Sequence, residues 1–261
     1  MASPDDFAFP EPPGFEDDDI PVISDSMLAP EVEFEAGMSA LPAISMTLIA
    51  SCIVIFGIQV VQGGLDDLTK LRDMGAMDPE LVEKGEAWRL LSATFLHGNF
   101  NHIFGNLVML YILGMGCEHA FGRSQFLTLY VASGLCGSLL SLSGGRISVG
   151  ASGAIFGLAG ALIATLWRHR ARLHVRDRRI GLILVAWACY QLFIGAIMPQ
   201  VDNRAHLGGL IGGTLLGLVL RPAVLEGRPA VDARVTTRAG LVLASAALIG
   251  TAAFFVPRLL G

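Results

Sequence analysis

Charged side chains are scarce in this sequence. Asp, Glu, Lys and Arg make up only 16% of the 261 residues, whereas a soluble domain contains about 25%. Hydrophobic residues reach 53%, and the mean hydropathy is +0.60. They fall in blocks of about 20, the length of a membrane-spanning helix. The scarcity of charge therefore argues against an ordinary soluble domain and predicts an all-α, polytopic membrane protein.

Cysteine is also rare, and no spacing typical of a zinc site occurs. We expect the four cysteines to be buried as small apolar side chains rather than paired in disulfides. A basic surface interleaved with aromatic residues is absent too, so no nucleic acid partner is predicted. No metal or cofactor is expected. The cysteines, which all lie in or beside apolar blocks, are Cys52, Cys117, Cys136 and Cys189.

The first 42 residues contain no Lys or Arg and are rich in Asp, Glu and Pro. Such a segment cannot bury enough apolar surface to fold, so residues 1–42 are predicted to be a disordered acidic arm. The segment also lacks the basic region that opens a signal peptide. The first apolar block should therefore remain as a helix.

Seven apolar blocks predict seven membrane-spanning helices. Residues 43–221 would form a six-helix core, and residues 222–261 a linker and a seventh helix. Arginine-rich loops follow the fourth and sixth blocks, and cytoplasmic loops carry such an excess. We therefore expect a multi-pass protein of a bacterial-type plasma membrane with a cytoplasmic N-terminus. The predicted helices cover residues 44–62, 98–117, 124–142, 151–167, 180–198, 204–220 and 239–256.

Three polar motifs lie at the starts of the second, fourth and sixth helices, which all begin on the same side. Ionisable residues inside membrane segments are functional candidates by default. The motifs share one depth, so their side chains can meet. They are His97 with His102 and Asn106, then Ser152 within the glycine-rich stretch 150–157, and then His206.

Small residues at every fourth position predict that the fourth and sixth helices pack closely. This packing would set Ser152 against His206, with Phe156 one turn from Ser152 and able to pack on the imidazole. A purely structural bundle would explain the small residues but not a histidine on the packed face. The small residues are Gly153, Gly157 and Ala161 on one helix and Gly209, Gly213 and Gly217 on the other.

A serine next to a histidine predicts nucleophilic catalysis. Histidine can take the proton of Ser152, because its ordinary pKa is about 6.5. His102 and Asn106 lie on one face of the second helix and could stabilise an oxyanion together with the Ser152 N–H. Asp202, one turn before His206, would either orient it in a triad or cap the helix. We favour a dyad of Ser152 and His206.

These motifs, in this order, resemble the rhomboid intramembrane serine proteases. The resemblance covers about residues 44–221, and the last helix is similar to a subgroup with six helices plus one. One departure is Phe156, where some members have tyrosine, so a phenol hydrogen bond cannot form there. The similar elements are Trp88-Arg89, His97 with His102 and Asn106, Glu118, Gly150-x-Ser152-Gly153 and Ala205-His206-x-x-Gly209.

The resemblance implies an endopeptidase that cleaves single-span membrane proteins within the lipid bilayer. It implies Ser152 as nucleophile, His206 as base, and His102 and Asn106 as oxyanion donors, with a lateral entrance near the fifth helix and the first loop. His97, Phe156 and Gly150 would be accessory residues, and Arg89, Glu118 and Gly209 structural ones.

Two other functions compete with the protease. One is a catalytically inactive relative that binds and routes membrane proteins, and the presence of both Ser152 and His206 argues against it. The other is a channel or transporter, for which we find no inverted repeat. An intramembrane aspartyl or zinc protease is disfavoured, because no Asp lies in a predicted span and no His-Glu-x-x-His occurs.

Overall fold

The computed structural model describes residues 31–226. Most of these residues are helical, and strands are limited to two pairs of residues, so the prediction of an all-α polytopic protein is confirmed. The predicted seventh helix at 239–256 lies outside the described residues. The helices are α1 (Ala43–Gln62), α2 (Leu68–Asp73), α3 (Pro79–Glu83), α4 (Arg89–Ser92), α5 (Phe100–Leu142), α6 (Ser152–Arg168), α7 (Ile180–Ile197) and α8 (Asn203–Val219).

Within the described residues, four helices are long and apolar enough to cross a membrane: α1, α5, α7 and α8 extended to Glu226. The fifth apolar helix, α6, is shorter. Residues 31–226 also contain two 3₁₀ helices, at Ala93–Phe95 and Ala223–Glu226. The number of membrane crossings stays a prediction.

A break at Gly122 divides α5 into two halves. Its φ of 72° and ψ of 166° are not helical, and glycine adopts such a φ without steric cost. Residues 118–123, predicted to be a loop between two helices, are thus helical except at this position. Both ends of α5 lie near Ser152, because His102 lies beside Gly150 and Ser141 bonds to Asp202. The two halves are therefore antiparallel.

The bundle has two distinct ends. The starts of α5, α6 and α8 lie at what we call the Ser152 end. At the other, the Glu118 end, the Glu118 carboxylate from α5 accepts hydrogen bonds from the backbone N–H of Ile44 (3.0 Å) and Ser45 (2.9 Å). The Ser45 hydroxyl donates to the same carboxylate at 2.9 Å. A buried acid of α5 therefore satisfies the first amides of α1, whose own N-cap residue, Pro42, makes no side-chain capping bond.

Helix α6 is the centre of the bundle, with twelve of its 17 residues buried. Its contact with α8 is made backbone to backbone, as the spacing of small residues predicts. A β-carbon on Gly209 would overlap the carbonyl oxygen of Gly153, so only glycine fits there. The contacting pairs are Gly209 with Gly153, Gly213 with Gly157, and Gly217 with Ala161.

Helix α7 packs much less closely, and only Leu184 and Ala188 of its 18 residues are buried. Its remaining apolar side chains suit the hydrocarbon of a bilayer, because the backbone is satisfied within the helix. All four cysteines are free. Cys52 and Cys117 are buried as expected, whereas Cys136 is only half-buried. The expectation of burial is wrong for Cys189, because it lies on the exposed surface of α7.

The prediction of a disordered arm is wrong for residues 31–42, whereas residues 1–30 lie outside the described part of the chain. Strand β1 (Val32–Glu33) pairs in parallel with β2 (Leu173–His174). Phe34 is buried and packs edge-on against the ring of His119, with centroids 5.6 Å apart. The order arises because the loop before α7 offers free backbone groups and α5 offers an apolar surface, neither of which composition reveals.

Candidate active site

Ser152 is the first residue of α6 and lies two residues after Gly150, whose φ is positive. Gly150 has a φ of +128°, a backbone conformation that residues other than glycine rarely adopt. Its N–H donates to the carbonyl of Ala93 at 2.9 Å. A β-carbon at Gly150 would lie 2.7 Å from Nε2 of His102, so glycine also allows the imidazole to approach this backbone.

His206 faces Ser152 across the contact between α6 and α8. Its Nε2 lies 2.9 Å from the Ser152 Oγ, a hydrogen-bond distance. The imidazole is buried and stacks on Phe156, with ring centroids 4.3 Å apart and an interplanar angle of 12°. This is the juxtaposition that the glycine spacing predicts. The other ring nitrogen, Nδ1, has no hydrogen-bond partner among the described residues.

His102 and Asn106 approach the same place from α5. The side chain of Asn99 caps α5 by accepting the His102 N–H at 2.9 Å. His102 lies one turn before Asn106, so the two residues share one face of the helix. A β-carbon at Gly150 would lie 3.5 Å from Nδ2 of Asn106. That amide is buried and has no partner within residues 31–226. Two side-chain donor groups therefore lie beside the backbone that leads to Ser152.

His97 makes no hydrogen bond to Ser152, but it supports His102. Their rings meet edge to face, with centroids 5.2 Å apart. The His97 peptide is held by Gln59 of α1, whose Nε2 donates to the His97 carbonyl and whose Oε1 accepts the His97 N–H, both at 3.0 Å. Sequence reasoning missed Gln59. A lone amide inside an apolar helix was the signal that could have pointed to it.

Arg89 lies in the loop between α1 and α5 and holds that loop together. Its guanidinium is buried, donates to the carbonyls of Ala76 (3.1 Å) and Arg72, and pairs with Glu86 at 2.8 Å. It also lies over the ring of Trp88. Neither Arg89 nor Glu118 is among the groups that contact Ser152 or His206, and their structural roles stay a prediction.

Asp202 caps α8 rather than bonding to His206. Its Oδ1 accepts the backbone N–H of Arg204 and Ala205, at 3.1 and 3.0 Å. Burial opposes ionisation, but hydrogen bonds from Ser141 and Ser148 outweigh it, so the pKa of Asp202 lies below its ordinary value. The triad hypothesis therefore lacks its hydrogen bond, and the helix-cap alternative is the one observed.

The site brings together the Ser152 hydroxyl, the adjacent His206 imidazole and a side-chain donor, the Asn106 amide, that has no hydrogen-bond partner among the described residues. This combination can support nucleophilic attack and stabilise an oxyanion. Among the described residues, no group of three or more His, Cys, Asp or Glu side chains could hold a metal ion.

The fold and the site together define a class: polytopic helical membrane proteins with a serine–histidine pair between two closely packed helices. A family model described as the Rhomboid domain matches residues 84–223. The match covers more than half of the chain, which therefore belongs to the rhomboid family.

Several curated relatives from different organisms are similar to this chain. RHOMBOID-like protein 5 of Arabidopsis thaliana is 43% identical over 58% of this chain and 49% of its own length. Rhomboid protease GluP of Bacillus subtilis (strain 168) is 35% identical over 66% of this chain and 34% of its own. Rhomboid-like protease 1 of Toxoplasma gondii is 36% identical, over 56% and 51%. The chain thus spans about half or less of the length of these relatives.

Proposed function

We propose that this protein is an intramembrane serine endopeptidase with Ser152 as nucleophile and His206 as general base. The observation that carries the proposal is the 2.9 Å contact between Ser152 Oγ and His206 Nε2. Membership of the rhomboid family and the names of two relatives as proteases support the same activity.

In the proposed reaction, His206 Nε2 takes the Ser152 proton as Oγ attacks the carbonyl carbon of the scissile peptide bond. The imidazolium then gives that proton to the leaving amine, and the peptide C–N bond breaks to leave an acyl-enzyme. A water molecule, deprotonated by His206, attacks the ester carbonyl. The acid product leaves, and the proton returns to Ser152.

The oxyanion formed in each half of this reaction would be stabilised by His102, Asn106 and the Ser152 N–H. Asn106 cannot titrate, so it can act only on developing negative charge. Removing one oxyanion donor costs about 10²–10³ in kcat. Asn106→Ala should lower kcat by that factor, leave KM nearly unchanged and retain turnover above the Ser152→Ala background. A fully active variant would leave Asn106 as an interhelical hydrogen-bonding residue.

Labelling with a fluorophosphonate serine probe tests the nucleophile. Wild-type protein in detergent should become labelled, whereas Ser152→Ala and His206→Ala should not, and all three should unfold at similar temperatures. Labelling of Ser152→Ala would overturn the assignment. A wild-type protein that neither labels nor cleaves would favour the non-catalytic alternative, in which the same bundle only binds membrane proteins.

The substrates that we propose are single-span membrane proteins. Carbonyls of a membrane helix are already hydrogen-bonded, so the substrate must unwind near Ser152 before it is cut. A side entrance along α7 and the loop between α1 and α5 fits the sparse packing of α7. Glycine or proline near the boundary of the substrate helix should speed cleavage, and leucine substitutions there should slow it. Equal rates for both would remove unwinding as the limiting step.

We also propose that the Glu118 end faces the cytoplasm of a bacterial-type plasma membrane, with the N-terminus on that side. The loop at 169–179 supports this orientation, because cytoplasmic loops carry the arginine excess. In a variant with the exposed Cys189 replaced by Ser, cysteines at Arg178 and Glu83 should react with an impermeant reagent from opposite sides. Reaction of both from one side would refute the orientation.

A further inference from the structure

Asp202 joins three segments that meet beside Ser152. Its Oδ1 caps α8, as described above. Its Oδ2 accepts a hydrogen bond from the hydroxyl of Ser141, near the end of α5. The side chain of Ser148, in the segment that leads into α6, also hydrogen-bonds to this carboxylate. One side chain thus connects the start of α8, the end of α5 and the segment before Ser152.

The segment before Ser152 is held from its other side by backbone bonds. Ser148 exchanges two hydrogen bonds with Met77, at 2.9 and 3.0 Å, and Gly150 donates to Ala93. Met77 and Ala93 both belong to the region between α1 and α5. The bond between Ser148 and Asp202 links this segment to the start of the helix that carries His206.

The two linked residues have matching positions along the chain. Ser148 precedes Ser152 by four residues, and Asp202 precedes His206 by four. We propose that Asp202 is a positioning residue, which sets the separation of Ser152 and His206 by bonding Ser148 and Ser141 while it caps α8. This role rests on the proposed protease function.

Asp202 makes no hydrogen bond to the imidazole, so the role proposed for it is one of position. Hydrogen bonds from other donors already engage both carboxylate oxygens, and none of them comes from His206. His206 Nδ1, the atom that a triad carboxylate would contact, has no partner in the described part of the chain. An ionised carboxylate, which only accepts hydrogen bonds, matches these donors.

The test compares Asp202→Ala, Asp202→Asn, Ser148→Ala and the double variant Asp202→Ala/Ser148→Ala. The rate of fluorophosphonate labelling of Ser152, and kcat and KM on a transmembrane substrate, are measured per folded molecule. Asp202→Ala should lower kcat and the labelling rate about 10²-fold with little change in KM, because a displacement of about 1 Å costs that much. The double variant should be no slower than Asp202→Ala.

The asparagine variant separates positioning from a triad. Asparagine still caps a helix and still accepts a hydrogen bond, so Asp202→Asn should recover most of the activity lost in Asp202→Ala. A triad predicts instead that Asp202→Asn is as slow as Asp202→Ala and that Ser148→Ala matches wild type. That result would overturn the proposal, as would additive effects in the double variant.

Asp67→Ala is the matched control, since Asp67 caps α2 by accepting the Thr69 N–H and lies on an exposed surface. It should leave kcat and labelling unchanged. If wild-type protein labels no faster than Ser152→Ala, the protease proposal fails by itself. The bond between Asp202 and Ser148 is then tested by thermal unfolding alone. The changes in Tm caused by the Asp202 and Ser148 substitutions should be non-additive, and additive changes would refute the bond as well.

Discussion

Helices α7 and α8 both lie against α6, but they pack in opposite ways. Helix α8 approaches through glycines so closely that a β-carbon at Gly209 would overlap the backbone of α6. Helix α7 buries only Leu184 and Ala188, and its ring contact with α6 is that of Trp187 with Phe156 at 5.1 Å. The closely packed helix carries His206, and the sparsely packed one carries no proposed catalytic group.

This difference shows how one bundle can hold Ser152 and His206 at a fixed distance and still let a substrate reach them. The proposed transfer of a proton from Ser152 to His206 needs a separation held within a fraction of an ångström, which backbone contact provides. A helix with few buried side chains can move at little energetic cost. Movement of α7 would therefore expose the pair without disturbing it.

The largest effect should come from a side chain placed between α6 and α8. Gly209→Val should lower the free energy of unfolding by about 3 kcal/mol, because the helices must separate. It should reduce cleavage to the Ser152→Ala background. Gly181→Val in α7, where a β-carbon meets nothing within 4 Å, should stay within about 0.5 kcal/mol of wild type and remain active. An active Gly209→Val enzyme would contradict the view that close packing of α8 on α6 fixes the site.

A smaller effect is expected for Phe156, whose ring contacts both His206 of α8 and Trp187 of α7. Phe156→Ala removes the stack on His206 and should lower kcat by up to about tenfold, because an aromatic pair is worth about 0.5–1.5 kcal/mol. Trp187→Ala removes only the contact with α7 and should leave kcat unchanged. Steady-state kinetics on one substrate check both. Equal losses would show that α7 also orients the imidazole.

Acid should weaken the links of α8 to α5 and to the 147–150 segment, but not its link to α7. The pKa of Asp202 is lowered in the folded protein, so its contribution to stability is present above the ordinary aspartate value of about 3.9 and is lost as the pH falls through the folded pKa. The stability advantage of wild type over Asp202→Asn should be constant above about pH 5 and shrink below about pH 4. Urea or thermal unfolding across this range measures it. An advantage independent of pH would contradict the prediction.

The smallest effect concerns Asn203, whose Nδ2 donates to the carbonyl of Leu192 in α7 at 2.8 Å. Asn203→Ala removes this link and should cost about 1 kcal/mol of stability. Release of α7 should raise kcat/KM for a transmembrane substrate, whereas labelling by a small fluorophosphonate should not change. A parallel fall in both rates would mean that Asn203 holds α8 rather than α7.

The contact between α6 and α8 could be predicted from sequence because small residues at every fourth position are a local, periodic signal. The facing of Ser152 and His206, and the stack of Phe156, follow from that register. Two side-chain contacts could not be predicted: the bonds of Gln59 to the His97 peptide, and the bond between Asp202 and Ser148. Each joins positions that are far apart in the sequence and belong to no periodic pattern. The pairing of β1 with β2 was missed because the composition of residues 1–42 does not show that a distant strand is available to pair with them.

The bond from Glu118 to α1 has a consequence for biosynthesis. The carboxylate that caps Ile44 lies 74 residues later in the chain. At about 5–20 residues per second, roughly 4–15 s separate the synthesis of the two groups. Through that interval the first amides of α1 must bond to water or lipid headgroups at the membrane surface. We therefore expect helix α1 to enter the bilayer as an independent segment. Its position along the bundle can be fixed only after Glu118 of α5 has been synthesised.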